Sequence, residues 1–199
     1  MTKQPATQLP LERNRAFAAA GAHEGAVVFP KLRMLVVTCM DPRVDPAHFL
    51  GIQPSDAVVV RNGGGRVTPE VINDVAFIGQ IAESFIAEGP LFEVAVIHHT
   101  QCGSGALADE GFRRTYAERT GADEAGLRDY AVLDPAATVT TDVERLLFAP
   151  AIPARVSVSG HVYDVVSGLV RTILPPAYPS DNRHVAAAPA SSPQLLTTG

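Results

Sequence analysis

Short apolar runs that alternate with amphipathic stretches predict a single α/β domain on a mostly parallel β-sheet. Two observations carry this. Segments 33–38 (RMLVVT), 57–61 (AVVVR) and 91–97 (LFEVAVI) are continuous apolar runs of strand length, as expected for strands buried on both faces. Between the second and third, apolar side chains recur at helical spacing, which makes a β-α-β crossover and so parallel pairing. At 199 residues one such domain is the natural count.

In chain order, residues 1–24 read as an N-terminal arm. Its helix spans about 10–22, with Leu11, Phe17 and Ala18 as an apolar face, and a helix this short must dock on something to persist. The α/β domain runs over 25–175. Its first two strands, 33–38 and 57–61, are separated by a turn near 53–56. Thr68 then caps a helix, Pro69 fits its first position and Glu70 complements its dipole. Val71, Val75, Ile78, Ala82 and Phe85 form the core stripe of that helix, which Gly89 and Pro90 end. After the third strand, 108–120 is helical and closed by Gly121, and 142–148 forms a helical turn or two. RVSVS at 155–159 is a fourth strand, and 161–173 a short pairing or loop element. The Pro-, Ala- and Ser-rich stretch 176–199 is expected to be disordered.

Composition excludes several classes. Hydrophobic residues make up 46% and charged ones 19%, ordinary for a soluble domain. The net charge is −5 and no basic stretch offers a phosphate footprint, which argues against a nucleic-acid partner. No run approaches the ~18 apolar residues of a membrane helix. The polar N-terminus lacks the apolar segment of a secretory signal. The chain has two cysteines, each at the end of an apolar run, and reduced thiolates in the cytoplasm suit that placement better than a disulfide.

Those cysteines carry the chemistry. Cys39 ends the first strand with Asp41 and Arg43 beside it, and His99 and Cys102 follow the third. Two thiolates and an imidazole are three protein ligands for a zinc ion that takes four. Either a nearby carboxylate closes the site, which would be structural, or the fourth position is open and catalytic. Asp41 can reach the metal or Arg43, and the two options compete. His98 alternates to the other face of the strand and is expected to be packed or hydrogen-bonded, while His48 and His161 are read as structural. Residues 62–66 (NGGGR) lack the G-K-[ST] ending of a phosphate loop. They are read as a turn that lets backbone approach the metal pocket.

C-x-D-x-R at Cys39 to Arg43 and H-x-x-C-G at His99 to Gly103 resemble the hallmark of the β-class carbonic anhydrases. VVVRNGGG (58–65) and SGHVYDVVSGLV (159–170) are similar to two further segments of that family. The resemblance implies a four- to five-stranded sheet flanked by helices and a tight dimer that can pair into tetramers. It also implies one zinc per chain on Cys39, His99 and Cys102, with water or, in a closed state, Asp41 in fourth place. The implied reaction is hydration of carbon dioxide to bicarbonate and a proton, Arg43 holding Asp41 off the metal. The short chain and doubled histidine look most like a subgroup that includes carbonyl sulfide hydrolases, the alternative activity; a catalytically silent zinc-binding protein is the third reading. Two positions depart from the pattern. Pro42 stands where Ser or Ala is usual and restricts Asp41, and Gln101 stands where Asp or Gly is common.

Overall fold

The computed structural model describes residues 5–179. It opens with helix α1 (Gln8–Ala19), followed by strand β1 (Met34–Cys39), the short helix α2 (Pro46–Phe49) and strand β2 (Ala57–Asn62). A tight turn at Gly63–Gly65 leads into α3 (Pro69–Phe85) and β3 (Glu93–His99). A 3₁₀ segment, Gly103–Ala108, precedes α4 (Glu110–Thr120), α5 (Glu124–Asp129) and α6 (Pro135–Phe148); β4 (Ser157–Tyr163) and β5 (Val170–Ala177) complete the sheet.

The described residues form one five-stranded sheet in the order β2-β1-β3-β4-β5. The first three pairings are parallel and only β4–β5 is antiparallel, as the sequence predicts of a mostly parallel sheet. From β1 the chain moves outward to β2, then returns to place β3 on the other side of β1. This reversal lies between β1 and β3, and ligands of open α/β sheets bind beyond the carboxyl ends of strands at such a point. Cys39 and His99 are the last residues of those two strands.

One sheet face carries the main core. Val71, Val75 and Ala82 of α3 and Val139, Val143 and Leu146 of α6 pack on Leu35, Val37, Val94, Val96 and Val158. The other face holds a smaller cluster of Val36, Ala95 and Ile97. There Phe49 stacks on Tyr163 at 4.4 Å between ring centroids. No residue of α1 is buried: Leu11 is 55% and Phe17 42% exposed, and Phe17 meets the His23 ring just past the helix, so among the described residues the arm's apolar face is largely uncovered.

Several expectations need adjustment. α1 begins at Gln8, earlier than its sequence pattern indicates. α3 stops at Phe85 rather than at Gly89, and Phe85 is 77% exposed, so the core stripe ends with Ala82. Helix α6 has 14 residues where a turn or two is expected from sequence. Its threonines, poor helix formers by χ1 restriction, send hydroxyls back to carbonyls four residues earlier: Thr138 to Asp134, Thr140 to Ala136, Thr141 to Ala137. Asp134 caps the helix through Ala136 N and Ala137 N, with Pro135 at its first turn.

The segment expected as a pairing or loop resolves into the end of β4, a turn and β5, and the strand runs on to Ala177 past the expected domain boundary at 175. Gly160 pairs with Leu174 and Val158 with Ala177, so Pro175 and Pro176 together oppose Ser159 in a bulge. The stretch expected to be disordered, 176–199, begins within β5, which holds Pro176 and Ala177, and its residues 180–199 lie outside the described residues.

Candidate metal centre

Three elements bring the ligand-bearing side chains together. Cys39 leaves β1 4% exposed, His99 ends β3 1% exposed, and Cys102 lies on the loop just before the 3₁₀ segment. Their ligand atoms lie within 4.8 Å of one another, and the two sulfurs are 3.9 Å apart. Among the described residues this is the group of His, Cys, Asp and Glu able to hold a metal ion.

The imidazole is oriented for ligation. His99 Nδ1 lies 2.9 Å from the carbonyl of Thr100, which can only accept, so Nδ1 carries the hydrogen and Nε2 is bare. Nε2 is buried with no hydrogen-bond partner. An orphaned buried acceptor beside two thiols costs free energy unless something electropositive meets it, and a carbonyl-anchored histidine is the usual arrangement of a metal ligand. The donor set and this orphan fit a zinc ion.

The two thiols lie within hydrogen-bonding reach of each other, 3.9 Å between sulfurs. The hydrogen bond between them raises Cys39 far above an ordinary thiol, with burial adding to the effect. The same bond lowers Cys102, and the Ser104 hydroxyl, 3.2 Å from its sulfur, supports the thiolate further.

Asp41 is turned away from this group. Arg43 donates Nε to Oδ1 at 3.0 Å, Nη2 to Oδ2 at 2.7 Å and its backbone N to Oδ1 at 2.9 Å. These bonds hold the Asp41 carboxyl at about 2 despite partial burial. Pro42 between them does not prevent the pair. The same Nη2 donates to the carbonyl of Gln101 at 3.0 Å. Gln101 has φ +56°, a left-handed conformation that glycine adopts at less cost, and it turns this carbonyl toward Arg43. Arg61, on β2, clasps the first loop from below through the carbonyls of Cys39 and Asp41.

The glycine turn approaches the site as expected. Gly65 has φ +68°, and a Cβ there would lie 2.8 Å from Cys39 N and 2.9 Å from Thr38 C. His98 is fully buried, Nε2 lying 3.2 Å from both the Gly65 carbonyl and Asp142 Oδ2. His161 bridges Ser159 and Thr172 within the sheet, in keeping with a structural role.

Sequence reasoning did not single out Asp142, Arg66 or Ser104. Asp142 does carry a signal: it interrupts the apolar stripe of α6 at a core position between Val139 and Val143. A cavity of about 850 Å³ opens beside Cys39, bounded by Met40, Leu107, Phe112, Tyr116, Leu127 and Tyr130.

Residues 34–170 match the family model described as carbonic anhydrase. Over 146 residues the chain is 30% identical to β-carbonic anhydrase 1 of Mycobacterium tuberculosis, spanning 73% of this chain and 85% of that one. The chain belongs to the β-carbonic anhydrase family. Within that family it is also 30% identical over 162 residues to a carbon disulfide hydrolase of an Acidianus species, covering 70% of this chain and 76% of the relative. The crystal structure of a carbonic anhydrase from Streptococcus mutans superposes with a TM-score of 0.71 at 30% identity, over 86% of this chain and 99% of the other. Family membership makes the chain an enzyme of the carbonic anhydrase type.

Proposed function

We propose that Cys39, His99 and Cys102 hold one zinc ion per chain and that the protein hydrates carbon dioxide reversibly to bicarbonate and a proton. The observation that carries this is the bare, buried Nε2 of His99 facing two sulfurs, with the Asp41 carboxylate engaged by Arg43. Zinc on three protein ligands supplies an electrophilic position at which the pKa of water falls to ~7.

The residues around it set the direction of attack. Arg43 keeps Asp41 ionised and away from the ligand group, so its carboxylate serves only as an acceptor at neutral pH. Oδ1 already takes two bonds from Arg43 and Oδ2 one, which leaves Oδ2 the freer lone pair for the O–H of the attacking water. Asp41 would thereby orient a water held at that position. Leu107, Phe112 and Tyr116 give the cavity apolar walls suited to a small linear molecule without charge.

Carbonyl sulfide hydrolysis at the same residues is the second reading. A relative that hydrolyses carbon disulfide and a roomy apolar cavity favour it. An apolar wall separates substrates of this size difference by only a few kcal/mol.

We place the protein in the cytoplasm, where thiolate ligands stay reduced; among the described residues no helix is long and apolar enough to cross a membrane. We also read it as a homodimer, able to pair into tetramers, in which the uncovered apolar face of α1 docks on a second copy.

The test pairs stopped-flow carbon dioxide hydration with sulfide release from carbonyl sulfide on one zinc-loaded preparation, beside Cys102→Ser. One zinc per chain, faster carbon dioxide turnover and loss of both in the variant are expected. A far higher kcat/KM for carbonyl sulfide reverses the substrate assignment. Carefully reduced protein with no transition metal overturns the zinc reading.

A further inference from the structure

A buried charge cluster lies behind the ligand group, and no step above uses it. Asp142 on α6 and His98 on β3 are fully buried, and Arg66 is 3% exposed. Arg66 donates Nε to Asp142 Oδ2 at 2.7 Å and Nη2 to Oδ1 at 3.2 Å, and Arg145 donates Nη1 to Oδ1 at 2.8 Å. His98 Nε2 faces the Asp142 carboxylate and the Gly65 carbonyl. Both are acceptors, so Nε2 carries the hydrogen and His98 donates between them.

The path continues toward the ligands. The Gly65 backbone lies against the amide of Cys39, too close for any side chain. A Cβ on the preceding Gly64 would lie 3.0 Å from the Ser104 hydroxyl, which itself lies 3.2 Å from the Cys102 sulfur. Arg66, the next residue, is pinned by Asp142, by the Asp129 carbonyl and by the Asn62 side chain, which bonds both its N and its carbonyl. The glycine turn is therefore held from behind by His98 and from its far end by Arg66.

A histidine kept for volume alone would be a poor choice here. Its Nδ1 is buried without a partner, a desolvation cost that an apolar residue of similar size would avoid. The contact made by Nε2 is what the position retains.

We propose that His98 is a positioning residue for the metal centre, holding the turn at Gly64 and Gly65 against Cys39 so that this sulfur meets His99 and Cys102. The inference rests on the reading that these three residues bind zinc. Groups that orient metal ligands in this indirect way typically change metal affinity by about 10–100-fold when removed.

The experiment compares His98→Gln, His98→Asn and His98→Leu in the full chain. Readouts are the rate of zinc transfer to a chromogenic chelator and the visible spectrum of the cobalt(II)-loaded protein. Gln places an amide N–H where Nε2 lies, whereas Asn is one methylene too short. Gln is expected to release zinc within about threefold of the wild type, and Leu and Asn about tenfold faster or more, with shifted sulfur-to-cobalt bands.

Folded Leu and Asn variants with wild-type release and spectra overturn the proposal. So do Gln and Asn variants that behave alike, because the donor's reach would not matter. Failure of all three to fold overturns it as well, by placing the role in the fold. Wild-type protein that retains neither zinc nor cobalt overturns instead the metal-binding reading beneath it.

Discussion

Arg43 grips both carboxylate oxygens of Asp41, and with the same Nη2 it reaches across to the carbonyl of Gln101. One guanidinium thus ties the loop after β1 to the loop after β3. Removing it does two things at once: it frees Asp41 and loosens the seam between the loops that carry the cysteines.

Arg43→Ala should therefore abolish turnover while zinc stays bound, because the released carboxylate takes the metal's fourth position. A fall of about 10²–10⁴-fold in kcat/KM is expected, the usual weight of a positioned acid–base group, with one zinc per chain by elemental analysis. Near-normal rates at neutral pH would reduce Asp41 to a structural role.

Gly65→Ala should damage both stability and metal retention. The left-handed conformation alone costs a residue with a side chain about 1–2 kcal/mol, and the new Cβ would lie 2.8 Å from Cys39 N. Thermal melting and zinc content measured together test this. Unchanged values for both would mean that the turn has slack to move off β1.

Asp142→Asn removes one partner of a buried ion pair and leaves the Arg66 guanidinium uncompensated, at a cost of about 3–5 kcal/mol. Burial pushes the Asp142 carboxyl up, but hydrogen bonds from His98 and Arg66 and the charge of Arg66 outweigh it, and the group ends below its ordinary value. A depressed folded pKa gives stability that is complete above the unfolded value of ~3.9 and is lost as pH falls through the folded one. Urea titrations should show the wild type's advantage at pH 7 and its narrowing below about pH 4. An advantage that held constant into strong acid would exclude this carboxylate as its source.

Deletion of residues 1–22 should shift a dimer toward monomer. Leu9, Leu11 and Phe17 are exposed within their own chain, and a short helix persists only where its apolar side is covered. Light scattering at micromolar concentration decides: full-length protein that is already a monodisperse monomer contradicts the docking of α1.

The sequence is most legible where one physical pattern stands alone. β1 and β3 read clearly because both faces are buried, and the meeting of Cys39, His99 and Cys102 because they stand at or just past the ends of those two strands. It is less legible where patterns compete. The threonines of α6 read against a helix until their back-bonded hydroxyls are seen. Phe85 matches the helical period of α3 but faces outward past the end of the core. The Asp142–His98–Gly65 contacts join residues far apart in the chain, so no local spacing announces them.

Strand β5 ends the sheet with two consecutive prolines opposite one residue of β4. Successive amides of a strand point to alternate sides, so Pro175 and Pro176 delete one donor facing β4 and one facing outward. The inner loss is absorbed by the bulge at Ser159. The outer loss breaks the row of donors that this edge of the sheet offers to a passing strand, so continuous pairing with another sheet edge is weakened there.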